Sequence, residues 1–208
     1  MADYHNNEYA VKEDEAFATI GEAYYRGFGI KRDFNRAFLF YQKAANLGNI
    51  PALRRLGACY ELGHGTKRDI EAALTCYETA SEKGDAFATL KLGDFYRDGL
   101  KTYITCDRLK ATNYYLAALQ QAKQNYDVWN APDIYLRVGD ALRTGVGVER
   151  DVEAAYEFYV AAANLYMERI DSGDSDCEPL LEQAEEGASI CGEELGIDDE
   201  ISPEGFEA

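Results

Sequence analysis

"IGEAYYRGFGIKRDFNRAFLFYQKAANLG", residues 20–48, decides the fold, because its key letters return three more times along the chain. In this copy they are Gly21, Tyr24, Gly27, Gly29, Asp33, Ala37 and Tyr41, and 36 residues later stand Gly57, Tyr60, Gly63, Gly65, Asp69, Ala73 and Tyr77. After another 36 residues Gly93, Tyr96 and Gly99 keep the phrase, but Asp107, Ala111 and Tyr115 arrive two residues late and the second glycine is lost. The fourth copy, "VGDALRTGVGVERDVEAAYEFYVAAANL" at 138–165, restores Gly139, Gly145, Gly147, Asp151, Ala155 and Tyr159, with Leu142 for the helix tyrosine and eight extra residues before it. A period of this length is that of stacked helical hairpins, so the fold class read from the chain is all-α.

Each copy predicts two helices. Ala16, Ala52, Ala88 and Ile134 precede Ile20, Leu56, Leu92 and Val138 by four residues, and Tyr24, Tyr60, Tyr96 and Leu142 follow four later. That spacing makes one apolar stripe on a first helix, A. Gly27, Gly63, Gly99 and Gly145 end it, because glycine takes the left-handed terminal conformation cheaply. Asp33, Asp69, Asp107 and Asp151 then stand where a carboxylate can cap the first turn of a second helix, B. Recurrence assigns Tyr41, Tyr77, Tyr115 and Tyr159 to packing between helices, each hydroxyl reaching a partner.

These residues resemble the Sel-one-like repeat family, a relative of the tetratricopeptide repeat, whose Leu-Gly-x-x-Tyr, Gly-x-Gly-Val, Asp, Ala, Tyr and Ala-Ala pattern is legible in 20–48 and 138–165. The resemblance implies a curved, right-handed α-solenoid serving as an adaptor or scaffold, usually not an enzyme. It divides the chain into a lead-in at 1–15, four repeats over 16–167 (16–51, 52–87, 88–133 and 134–167) and an acidic capping helix and tail at 168–208. "PLLEQAEEGASICGEEL", 179–195, suits the cap through Leu180, Leu181, Ala184, Ala188 and Cys191. The plain reading of the acidic segment is that cap with its acidic side in water; the alternative is that the last dozen residues, "IDDEISPEGFEA", stay mobile and either bind a partner or fold back on the array.

The net charge of -17 is unevenly placed: residues 170–208 hold 14 Asp and Glu and no Lys or Arg, whereas 1–169 carry 21 basic and 24 acidic residues. Nucleic acid and anionic membranes are therefore poor partners. No apolar run reaches membrane-spanning length and the start is polar, so the expected location is cytoplasmic. Five cysteines without a CxxC pair favour reduced thiols, and the paired cysteines that secreted relatives carry in each repeat are missing. Two histidines, His5 and His64, build no metal site, and His64 reads as a solvated turn residue. No catalytic group, cofactor or metal is expected; the Gly-x-Gly turns follow a helix, where a dinucleotide loop follows a strand.

If helix A lines a concave side, as in tetratricopeptide relatives, a basic row of Thr19, Arg55, Lys91 and Arg137 runs beside a row of Glu22, Ala58, Asp94 and Asp140. Two readings stand: ion pairs on solvated helices, or a groove in which Arg55, freed by Ala58, joins Lys91 and Arg137 to grip a carboxylate-rich partner. Tyr126 and Trp129, in the insertion "QNYDVWNAPD", form a possible interface loop, with Tyr25, Tyr103 and Tyr135 as further free aromatics. The leading expectation is a scaffold binding a protein or peptide. The alternatives are an acidic immunity-type inhibitor of a basic protein and, more remotely, a carboxylate-based enzyme.

Overall fold

A computed structural model describes residues 12–100, 103–125 and 130–197. Among these lie nine α-helices: α1 (Glu13–Arg26), α2 (Phe34–Asn46), α3 (Ile50–Leu62), α4 (Ile70–Glu82), α5 (Ala86–Asp98), α6 (Arg108–Asn125), α7 (Ala131–Thr144), α8 (Val152–Asp171) and α9 (Glu178–Leu195). The fold is an all-α helical repeat. It forms two compact units, residues 1–88 and 89–208.

The helices begin and end where the sequence says they should. The Asp33, Asp69, Asp107 and Asp151 carboxylates accept the amide N–H groups of Arg36, Ala72, Lys110 and Ala154 at 2.9–3.1 Å, which satisfies donors that a helix start otherwise leaves open. Asn49 does the same for α3 at 2.9 Å, with Pro51 in its first turn. Left-handed glycines, Gly27, Gly63, Gly99 and Gly145, follow each A helix.

The tyrosine register explains the recurrent helix A glycine. Tyr41, Tyr77, Tyr115 and Tyr159 are all buried, and each ring lies on the glycine of its own hairpin. A Cβ on Gly21, Gly57, Gly93 or Gly139 would stand 2.8, 3.1, 2.5 or 3.1 Å from the facing ring carbon. A side chain there would overpack the hairpin. The second glycine of the turn has a separate task. A Cβ on Gly65 would fall 2.0 Å from the backbone oxygen of Phe34, and one on Gly147 2.9 Å from Thr112 Cβ. Both have positive φ, 74° and 79°, so close approach and backbone conformation each favour glycine.

In the first unit α1 to α4 pack around Ala37, Tyr41, Ala44, Ala52, Leu56, Cys59 and Cys76. In the second, α7, α8 and α9 enclose Leu136, Ala155, Tyr159, Tyr166, Ala184, Ala188 and Cys191. The helix expected over 179–195 is α9, which packs on this core with Leu180 and Leu181 half-buried beside Ala184 and Ala188. Gly187 of α9 also lies against the Tyr159 ring, where a Cβ would stand 2.5 Å from Cε1. The two residues gained by the third turn accompany an antiparallel bridge between Leu100 and Ile104.

Three sequence expectations need correction. His64 is half-buried, stacked on Phe34 at 4.2 Å, with Nδ1 3.1 Å from the Tyr25 hydroxyl. Tyr25 is engaged by the same cluster, and Tyr135 packs edge-on against Phe158. Only Tyr103 of those three aromatics is exposed. Tyr126 and Trp129 lie outside the described residues.

Candidate interaction site

The acidic row of helix A proves to be a row of acceptors. Glu22 accepts the Tyr41 hydroxyl at 2.7 Å, Asp94 that of Tyr115 at 3.0 Å and Asp140 that of Tyr159 at 2.7 Å. Ala58 interrupts the row, and Glu61, one helical turn on, takes the Tyr77 hydroxyl at 2.8 Å.

The basic row then reaches back one hairpin. Arg55 donates to Glu22 at 3.0 Å, and Arg137 donates to Asp94 at 3.1 Å. Arg55 is therefore not released by Ala58, because its carboxylate is supplied by the preceding hairpin. Burial raises the pKa of Glu22, but the Tyr41 hydrogen bond and the Arg55 and Arg26 charges outweigh it and hold the carboxyl below its ordinary range. Thr19 bonds its own helix at Glu15, and Lys91 lies over the Phe95 ring at 5.6 Å. Thr19 and Arg55 belong to the first unit, Lys91 and Arg137 to the second.

Within the second unit these contacts frame a half-open cavity of about 360 Å³, a size suited to a ligand or a few side chains. Its wall carries four arginines, Arg97, Arg108, Arg137 and Arg143, against two carboxylates, Asp98 and Asp140. Ala111, Thr112, Tyr115, Ala141, Thr144 and Val146 line the remainder. A continuous network holds three of the guanidiniums in place. Arg143 donates to the Tyr159 hydroxyl at 3.1 Å, which donates to Asp140, while Arg137 Nη1 lies 3.8 Å from Asp140. Asp94 Oδ1 gathers Arg137, Tyr115 and Arg97, the last at 3.2 Å. Arg97 also forks onto Asp98 at 2.7 and 2.8 Å and so lowers the pKa of that carboxyl.

Arg108 differs from the other three. Its side chain has no hydrogen-bond or ion-pair partner among the described residues, and it is exposed. It opens α6, the positive end of the helix dipole, where a cation is disfavoured. The other hairpins put Phe34, Ile70 and Val152 at the position after the capping aspartate.

The sequence reading named Arg137, Asp94 and Asp140, which the structure brings together around this cavity. It missed Arg97, Arg108 and Arg143. Arg97 and Arg143 share one register, four residues after the helix A glycine, where the first two hairpins carry Tyr25 and Glu61. The change from that pair to two arginines was the available signal. Among the described residues no group of three or more His, Cys, Asp or Glu side chains is placed to hold a metal ion, and no helix is long and apolar enough to cross a membrane.

Paired helices stopped by glycine, reopened by a capping aspartate and locked by tyrosine on glycine define a helical-hairpin repeat protein of the tetratricopeptide kind. The Sel1 repeat matches residues 20–49, 50–85, 86–123 and 133–166, and the chain belongs to that family. Sel1 repeat proteins generally mediate protein–protein interaction and are typically non-enzymatic scaffolds. A Sel1 repeat protein from Oxalobacter formigenes is similar in structure, with a TM-score of 0.63, 25% identity, and coverage of 89% of this chain and 74% of that one. The c5321 protective antigen of uropathogenic Escherichia coli shares the fold with a TM-score of 0.58 and 22% identity, across 89% of this chain and 47% of its own. No curated protein matches the chain.

Proposed function

We propose that the chain is a protein-binding scaffold that takes a carboxylate-rich segment of a partner in the arginine-lined cavity of its second unit. Arg108 carries this reading. A guanidinium without a carboxylate partner among the described residues, at the disfavoured end of a helix and in a register otherwise apolar, is a costly residue for the fold alone. Beside it, Arg97, Arg137 and Arg143 are oriented before any partner arrives, which reduces the ordering cost of binding. Guanidinium forks suit carboxylates because two parallel N–H···O bonds form at once.

The test is fluorescence anisotropy with a fluorescein-labelled decapeptide of alternating Glu and Asp, titrated with the full chain. Binding is expected to weaken with salt and to fall about tenfold or more in Arg108→Glu, since a charge-assisted bond contributes about 1.5–3 kcal/mol. Equal affinity for the wild type and a folded Arg108→Glu variant overturns the assignment.

A further inference from the structure

The same cavity has an occupant within the chain. We propose that the acidic segment of residues 198–208 docks into it and competes with the partner; this rests on the carboxylate-binding reading above. Asp198, Asp199, Glu200, Glu204 and Glu207 put five carboxylates and no Lys or Arg into those residues, opposite a wall with four arginines and two aspartates.

The place where α9 ends makes the docking feasible. Arg150 forks onto Glu194 at 2.7 and 2.6 Å, and its Nε donates to the Arg143 carbonyl at 2.9 Å. One side chain thus ties the last turn of α9 to the C-terminal end of α7, and Arg143 and Thr144 of that end, with Val146 just beyond it, line the cavity. The chain continues from α9 through Gly196 and Ile197, with the Ile197 N–H returning to the Gly192 carbonyl. Eleven residues span roughly 36–40 Å when extended and about 17–20 Å as a flexible coil. A helix with its side chains is only about 10–12 Å across. The tether therefore reaches the cavity with residues to spare.

A short tether holds its carboxylates at an effective concentration in the millimolar range. Contacts too weak to hold a free peptide are then populated in cis. An incoming acidic segment must displace them, so the tail sets a threshold that a partner has to exceed.

The experiment compares two full-length chains, the wild type and one carrying Asp198→Asn, Asp199→Asn, Glu200→Gln, Glu204→Gln and Glu207→Gln. The probe is a fluorescein-labelled synthetic peptide of residues 197–208, IDDEISPEGFEA, read by anisotropy. The neutralised chain is expected to bind the peptide roughly two- to tenfold more tightly than the wild type, and Arg108→Glu in the neutralised background is expected to abolish that gain. Equal binding by the two chains overturns the docking while leaving the cavity as a carboxylate site. Tight binding that survives Arg108→Glu overturns it too, because the peptide then sits elsewhere. If neither chain binds this peptide the docking falls, and the Glu and Asp decapeptide then decides the cavity reading on its own.

Discussion

Replacing Gly187 with alanine should destabilise the protein, although alanine is the better helix former. The new Cβ would stand 2.5, 2.6 and 2.7 Å from Cε1, Cζ and Cδ1 of Tyr159, so ring or helix must move by about 1 Å to restore ordinary packing. The ring has little room to yield. Gly139 lies against it with a hypothetical Cβ at 3.1 Å, and its hydroxyl is held by Asp140 at 2.7 Å and Arg143 at 3.1 Å. Overpacking costs about 1–3 kcal/mol and a loosened hydrogen bond about 1 kcal/mol. The helix-propensity gain of about 1 kcal/mol offsets only part of this. A net loss of about 1–3 kcal/mol is expected, seen as a fall of about 2–12 °C in thermal denaturation followed by circular dichroism. Gly192→Ala in the same helix is the matched control. Its Cβ would meet nothing closer than Tyr156 at 3.7 Å and the Ile197 oxygen at 3.8 Å, so it should stabilise by up to about 1 kcal/mol. Stabilisation by both substitutions would refute the packing argument.

Glu22→Gln should cost about 1–2 kcal/mol at neutral pH. Because the folded-state pKa of Glu22 lies below its ordinary value, the charged form stabilises the fold above that ordinary value, and the wild-type advantage should disappear in urea titrations as pH falls through the folded pKa. Asp133 has the opposite sign, since burial outweighs the Tyr166 hydrogen bond and the Arg169 charge and raises its pKa. Asp133→Asn should therefore be neutral or stabilising at pH 7, with the difference vanishing below the ordinary aspartate range; a loss of stability at pH 7 would contradict this. Burial pushes the Cys59, Cys76 and Cys177 thiols up to about 11, whereas Cys106 is exposed. Ellman's reagent at pH 7.5 should label Cys106 first and the buried thiols only on unfolding, as peptide mapping of the labelled chain would show.

Most of the scaffold was legible because it is written four times. The capping aspartates, the terminal glycines and the Tyr41, Tyr77, Tyr115 and Tyr159 register each recur at fixed offsets, so one copy confirms another. The alternation of Glu22 with Arg55, and of Asp94 with Arg137, was visible as two rows of opposite charge. Their pairing across hairpins was not, because it depends on how far one hairpin advances upon the next. The cavity was least legible for a related reason. Arg97, Arg108 and Arg143 occupy registers where the other hairpins carry Tyr25, Glu61, Phe34 or Ile70, so recurrence offered no warning and only departure from it did. Gly187 escaped notice because a glycine inside a helix shows its purpose only when the ring beneath it is known.

The acid of helix A takes a hydroxyl from its own hairpin and a guanidinium from the one that follows, as Glu22 does with Tyr41 and Arg55 and Asp94 with Tyr115 and Arg137. Such an arrangement bears on how a chain of this type lengthens through gene duplication. A copied hairpin that holds both residues, as the fourth holds Arg137 and Asp140, would arrive able to clasp its predecessor and to be clasped by its successor. Loss of either residue from a single copy is felt at only one junction, which lets individual hairpins diverge toward new binding roles while the lineage keeps its architecture.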